Sequence, residues 1–217
     1  MATINRGILD GFFGKVGTVV GSFWKGIPVM RAYVRRIHDR KASSQQIIRV
    51  RFTTLNVLAS AFLSALRIGM RNAAAASRTT ECNVFVKKNW EAVQATTVDS
   101  VSVDYADLAV AQGSLTGVQF GAPNFDNPQT VSVGYATNEE CDKTSLDDKV
   151  YVFVYCPDAK CGVLSAPVNR SVKSISVTVP AYWNGMKVHV WGFTLGAGLD
   201  NAGELSNSDY IGTGNIG

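Results

Sequence analysis

Val150-Tyr151-Val152-Phe153-Val154-Tyr155 is apolar at every position. Successive side chains of a strand point to opposite faces. A strand with one wet face therefore alternates apolar and polar residues, whereas one that is apolar throughout needs cover on both sides. The stretch predicts a central, fully covered strand. Pro157-Asp158-Ala159-Lys160 follows it and reads as a hairpin loop, with Cys156 and Cys161 at its neck and placed to face each other.

Around this stretch the period is two. Val101, Val103 and Tyr105 alternate with Ser102 and Asp104, and Val131, Val133 and Tyr135 repeat the pattern. Ile175, Val177 and Val179 alternate with Ser174, Ser176 and Thr178, and Met186, Val188 and Val190 with Lys187 and His189. Turn signals at Asn127-Pro128, Asn184-Gly185 and Asp200 to Gly203 separate them. Short alternating strands at this spacing predict an antiparallel immunoglobulin-like β-sandwich over residues 96–217. The likeness is architectural only, because no Cys-Trp-Cys core of the antibody kind is present.

Upstream the period changes. Ile48, Phe52, Leu55, Ala59, Phe62, Leu66 and Met70 recur at steps of three and four and make one apolar stripe. Ser43 and Gln46 have the spacing of a capping box. A long amphipathic helix over about 43–76 follows, with Gly69 as a place where it can break. A second, short helix is expected around Asn83 to Val93. Residues 7–27 carry Gly7, Gly11, Gly14, Gly17, Gly21 and Gly26 between short apolar pieces. Glycine at that density argues against helix and for two or three short strands, ending with Val29 to Val34. The fold class is α+β: short N-terminal strands, one long helix, then the sandwich. The expected division is 1–95 and 96–217.

Charge follows a similar division. Residues 1–90 hold 15 Lys+Arg and three acids, a balance of +12, while residues 91–217 hold 6 bases and 14 acids, a balance of −8. Such asymmetry predicts different partners for the two parts, or attraction between neighbouring subunits. With 46% hydrophobic and 18% charged residues the chain is globular, not disordered. Leu55 to Met70 is interrupted by Asn56, Ser60, Ser64 and Arg67, so no stretch approaches the roughly 20 uninterrupted apolar residues of a membrane helix. Met-Ala-Thr-Ile-Asn-Arg-Gly contains no apolar signal core. The expected location is the cytoplasm, or a virion if the chain is phage-encoded.

No catalytic, cofactor-binding or metal site emerges. Gly212-Thr213-Gly214-Asn215-Ile216-Gly217 spells G-x-G-x-x-G, but no helix follows to hold a pyrophosphate. Gly14-Lys15 fails as a phosphate loop, with Leu9 where a glycine belongs and Val16 where Ser or Thr belongs. Asn169-Arg170-Ser171 is a sequon of little meaning without export. His38 and His189 are the only histidines, and each reads as a surface or hydrogen-bonded residue. Glu139, Glu140, Asp142, Asp147 and Asp148 read as a solvated acidic loop, with weak cation binding or docking onto a basic neighbour as the alternative, and they lack calcium-loop spacing. Cys82, Cys141, Cys156 and Cys161 are too few for a disulfide scaffold, no Cys-x-x-Cys suggests zinc, and a reduced pair is the favoured reading of Cys156 and Cys161.

Two candidate surfaces stand out. Arg31, Arg35, Arg36, Arg40, Lys41, Arg49 and Arg51 form a basic run that can contact phosphates or an acidic protein surface. Val16, Val19, Val20, Phe23 and Trp24 are expected to be buried against the long helix or against a second subunit. The leading expectation is a non-enzymatic structural or assembly protein that self-associates or docks onto a larger particle, with a phage virion as one setting. The alternative is a nucleic-acid-binding protein working through Arg31 to Arg51. A third reading has Tyr182, Trp183 and Trp191 stacking on a sugar, against core filling.

The segment Asn5 to Ser22 (Asn-Arg-Gly-Ile-Leu-Asp-Gly-Phe-Phe-Gly-Lys-Val-Gly-Thr-Val-Val-Gly-Ser), with Trp24-Lys25-Gly26-Ile27, resembles the opening of domain-of-unknown-function family 6266 of Bacteroidetes-type bacteria. The likeness continues at Gln45-Gln46, Arg51-Phe52, Asp104-Tyr105 and Gly113-Ser114-Leu115-Thr116-Gly117. It resumes at Val154-Tyr155-Cys156-Pro157, Val179-Pro180, Trp183-Asn184-Gly185, Ser206-Asn207-Ser208 and Tyr210-Ile211-Gly212. The chain departs from the pattern at Lys41-Ala42-Ser43-Ser44, where a proline often precedes the helix. The resemblance implies no activity and no site residue.

Overall fold

The computed structural model describes residues 3–4, 12–36, 41–137 and 144–217. His38, Asp39 and Arg40, and Glu139, Glu140, Cys141 and Asp142, about which the sequence raised expectations, lie outside the described residues. The chain divides into two compact units, 1–42 and 43–217. The boundary expected at 95/96 falls inside the second unit. The helices belong with the C-terminal strands, because their apolar stripe packs on the central sheet.

The first unit is an antiparallel sheet of β1 (Thr3–Ile4), β2 (Phe12–Val16), β3 (Val19–Trp24) and β4 (Ile27–Ala32), in that order. Lys25 and Gly26 join β3 to β4 with φ of 45° and 81°. Two central residues with positive φ define the turn whose twist matches a two-residue hairpin. Gly17 (φ 56°) opens the β2–β3 turn and Gly14 has φ 109°. Gly21 is needed for a different reason: a Cβ there would collide with the Phe12 carbonyl oxygen and ring.

The second unit opens with α1 (Ser43–Ala61), α2 (Leu63–Gly69), α3 (Arg71–Ala76) and α4 (Glu81–Lys88). The single helix over 43–76 is corrected to three pieces. Between α1 and α2 the direction changes by 83°, and Phe62 leaves helical geometry with φ −90° and ψ 1°. The break lets the Phe62 ring enter an aromatic cage, 4.8 Å from both Phe153 and Tyr155, 5.3 Å from Trp191 and 5.6 Å from Phe85. The second break, at Gly69 and Met70, brings the helix against residues 110–112. The Gly69 carbonyl accepts the Gln112 N–H at 3.0 Å, and a Cβ on Gly69 would come within 2.6 Å of Val110 O. Asn83 N donates to the Thr80 hydroxyl at 3.3 Å, which caps α4.

The strands are β5 (Val93–Ala95), β6 (Val101–Val103), β7 (Gln119–Asn127), β8 (Thr130–Ala136), β9 (Lys149–Cys156), β10 (Cys161–Leu164), β11 (Val168–Asn169), β12 (Ser174–Thr178), β13 (Lys187–Leu195) and β14 (Asp209–Asn215). All pair antiparallel. One sheet runs β10-β9-β13-β14, with β11 also on β9, and a second runs β12-β8-β7. Strand β9 is central and covered on both faces, as its composition requires. Tyr151, Phe153 and Tyr155 join Trp191 and Phe193 in the core facing α1, α2 and α4. Val150, Val152, Val154 and Cys156 join Val188 and Val190 in a second core with Val131, Val133, Ile175 and Val177 of the other sheet. The unit is thus helices, sheet and sheet around two hydrophobic cores.

The stripe on α1 is only partly buried. Leu55, Ala59, Phe62, Leu66 and Met70 are in the core, but Ile48 and Phe52 are exposed because they precede the part of α1 that meets the sheet. Among the described residues no single helix is long and apolar enough to cross a membrane. The pair α1–α2 reaches that length and composition only across its 83° bend.

Candidate functional site

The first unit differs from the second in what its apolar residues do. Cross-strand register places Gly14, Gly21 and Met30 in one row and Lys15, Val20 and Arg31 in the next. Alternation from these rows puts Val16, Val19, Phe23 and Met30 on one face and Phe13, Trp24, Ile27 and Val29 on the other. Both faces are apolar, as in β9, but the side chains are exposed: Phe13 by 62%, Trp24 by 50% and Met30 by 69%. The expected burial of Val16, Val19, Phe23 and Trp24 within the chain is not met, and Val20 is half-buried. The physical reason is size: among the unit's described residues only Gly21 is buried, so the sheet has no core to offer them. All six residues of β4, an edge strand, are exposed.

Positive charge lines this sheet. Residues 12–36 contain five bases and no acid. Lys15 sits over the Tyr33 ring at 3.6 Å. Arg31, Arg35 and Arg36 are exposed. Arg40 is outside the described residues, and Lys41 is exposed with φ 48°. Arg49 and Arg51 lie on α1, in the other unit. Arg51 is half-buried: its Nη2 donates to the Trp90 carbonyl at 2.6 Å, and its guanidinium lies 4.6 Å from the Trp90 ring centre. The basic run is therefore divided between the units, and Arg51 serves the fold.

The remaining candidates resolve into structure. Trp183 and Trp191 are both fully buried, in different cores, so they form no platform with Tyr182, which alone is exposed. The core-filling reading holds for the two tryptophans and fails for Tyr182. His189 is buried, stacked on Tyr105 at 4.1 Å, with Nδ1 paired to the Tyr210 hydroxyl at 2.8 Å. Burial, with the nearby Lys187 charge, pulls its pKa down from 6.5 to about 4. Burial also pushes the Tyr155 hydroxyl up to about 12. Asp148 is not part of a solvated loop; it is fully buried against Arg170, the middle residue of the Asn169-Arg170-Ser171 sequon. Gly212 and Gly214 lie in strand β14, packed against Pro123 and Phe125, not at a helix start.

Irregular segments carry most of the other polar pairs. Ser208 Oγ accepts the Val110 N–H at 2.8 Å and Ser206 Oγ accepts the Thr194 N–H at 2.8 Å. Asn89 exchanges bonds with Ala109, donating to its carbonyl at 3.0 Å and accepting its N–H at 2.7 Å. Gly113 admits the Leu205 backbone where a Cβ would not fit. Sequence periodicity misses these clasps, because they join residues far apart in the chain without any repeat. An open groove lies between α3 and α4, lined by Ser77, Asn83, Lys87, Lys88 and Gln112 among others. Among the described residues no group of three His, Cys, Asp or Glu is placed to hold a metal ion.

The class these features define is an α+β protein with a layered unit of helices and two sheets and an N-terminal sheet whose apolar and basic surface is exposed. The chain belongs to DUF6266, a family of unknown function, whose model matches residues 11–212. No curated protein matches it.

Proposed function

We propose that the protein is a non-enzymatic structural or assembly component that self-associates, or docks onto a larger particle such as a phage virion, through its N-terminal sheet. The observation that carries this is the sheet's exposed apolar surface on both faces. Exposed apolar patches of this kind, edged with charge, mark interaction sites, and an exposed apolar edge strand such as β4 invites pairing. The balance of −8 on residues 91–217 supplies an attractive surface on a neighbouring copy for the bases at Lys15, Lys25, Arg31, Arg35 and Arg36. The two antiparallel sheets of the second unit are read as an immunoglobulin-like sandwich. Nucleic-acid binding is the second reading; the exposed Arg31, Arg35 and Arg36 favour it, and the engagement of Arg51 by Trp90 weakens it.

Light scattering after size exclusion, over a range of salt and protein concentration, tests the proposal. Oligomers at low salt that shrink as salt rises are expected. A monomer at high protein concentration and low salt overturns self-association. Retention on DNA or RNA that falls steeply with salt, and is lost on replacing Arg31, Arg35 and Arg36 by Ala, would favour the second reading.

A further inference from the structure

Cys156 ends β9, Cys161 opens β10, and the two are direct partners in the antiparallel register. Directly opposed residues project from one face with Cα atoms about 4.5–5.5 Å apart. That separation lies within the roughly 4.4–6.8 Å that a disulfide spans. Both thiols are free. Each has a separate partner in the connection from β12 to β13: Cys156 Sγ lies 3.7 Å from Met186 Sδ, and Cys161 Sγ lies 3.5 Å from the Tyr182 hydroxyl.

We propose that Cys156 and Cys161 are a covalent modification site, a dithiol that a small-molecule disulfide oxidises to a cross-strand disulfide, and that its oxidation releases the 181–186 segment. Cys161 is half-buried and Cys156 fully buried. The oxidant therefore meets Cys161 first. The Cys161 thiolate attacks one sulfur of the oxidant, and the other sulfur leaves as a thiol after taking up a proton. The Cys156 thiolate then attacks Cys161 Sγ in the mixed disulfide and expels the second thiol. Two S–H bonds break and one S–S bond forms. Two electrons and two protons pass to the oxidant, which leaves as two thiols. The sulfurs must turn toward each other to bond, so both give up their contacts with Met186 and Tyr182. The exposed Tyr182 and its neighbours then lose two tethers to the β9–β10 neck.

Oxidised glutathione is the probe, applied to the full chain carrying Cys82→Ser and Cys141→Ser. The expected product is about 2 Da lighter than the reduced chain. After unfolding, trypsin cuts at Lys160, so the Cys156 and Cys161 peptides should remain joined only through sulfur. Cys156→Ser should stop at a stable mixed disulfide on Cys161. Cys161→Ser should react at least about tenfold more slowly, since only the buried thiol is left. Hydrogen exchange across 181–186 should quicken on oxidation. Stable glutathione adducts on the chain with both cysteines, or no reaction where the unfolded chain reacts, overturn the proposed disulfide. Oxidation with unchanged exchange at 181–186 overturns the release.

Discussion

Asp148 and Arg170 meet at 2.9 Å with neither side chain open to solvent. The carboxylate also accepts the N–H groups of Ser145 at 3.0 Å and Ala197 at 3.1 Å and the Asn201 amide at 3.0 Å. Arg170 Nη2 donates to the carbonyls of Thr116 at 2.8 Å and Gly117 at 3.0 Å. One ion pair thus joins the approach to β9, the end of β13, the approach to β7 and the turn after β11. Each segment is irregular, so these bonds stand in for the ladders it lacks.

Removing one partner leaves a buried, uncompensated charge. Arg170→Met is expected to cost about 3–5 kcal/mol, and Asp148→Asn to fall in the same range. The double variant should cost clearly less than the two single losses added, because each single change already breaks the shared network. Urea unfolding of the four proteins measures this; additive losses would show that the pair does not act as a unit.

His189 sets a second expectation, for pH. Its folded pKa is pulled down to about 4 from 6.5, chiefly by burial. The unfolded chain takes up the proton first as pH falls, so this contribution to stability is full above about 6.5 and lost progressively between 6.5 and 4. The loss is on the order of 3 kcal/mol at the acid end. His189→Phe removes the titrating group and should flatten the stability profile over that window, at the cost of the hydrogen bond between His189 Nδ1 and the Tyr210 hydroxyl. Unfolding midpoints taken across the window compare the two slopes, and equal slopes would remove His189 from the account.

Central strand β9 was legible because burial on both faces leaves nothing polar in its sequence. Strands β8 and β12 were legible because one face of each is wet. Strand β14 was not: Gly212 and Gly214 occupy positions where Pro123 and Phe125 press in, so contact with β7 erased the alternation. The helical period of 48–70 was readable, but not its bend. An apolar stripe reads straight through Phe62, whose burial looks the same in a straight helix and a broken one. Only Phe153, Tyr155 and Trp191, remote in sequence, decide between them. Asp148 was misread for a similar reason: a carboxylate among other acids looks solvated until Arg170 is brought to it. The glycines of β2 and β3 were readable from residue type, and the exposure of the side chains between them was not, since apolar residues by themselves predict burial.

Phe62 is therefore the residue on which the helical layer depends. Its ring fills the cage made by Phe85, Phe153, Tyr155 and Trp191 at the point where α1 turns into α2. Phe62→Ala should cost about 3–5 kcal/mol through the cavity left behind. Phe52→Ala, on the same stripe but exposed, should cost far less. Thermal unfolding of both variants tests this. A similar loss for the two would mean that the exposed half of α1 is packed in solution.

The N-terminal sheet offers the last test, because its demands on sequence are backbone demands. Gly21 has no room for a Cβ beside Phe12, so Gly21→Ala forces β2 away from β3. Gly17→Val places a β-branched residue at φ 56°, a conformation such residues avoid. Both variants should open the first unit while the second unit, whose cores include no described residue before Leu55, keeps its folding transition. Limited trypsin digestion should then cut rapidly at Lys15, Lys25 and Arg31. Lys15→Ala removes only an exposed cation over the Tyr33 ring, worth about 0.5–1 kcal/mol, and should leave the digestion pattern nearly unchanged. If the sheet is the docking element, the two glycine variants should also lose any oligomer the unaltered chain forms, and Lys15→Ala should keep it. Oligomers that survive the opening of the sheet would place the contact elsewhere on the chain.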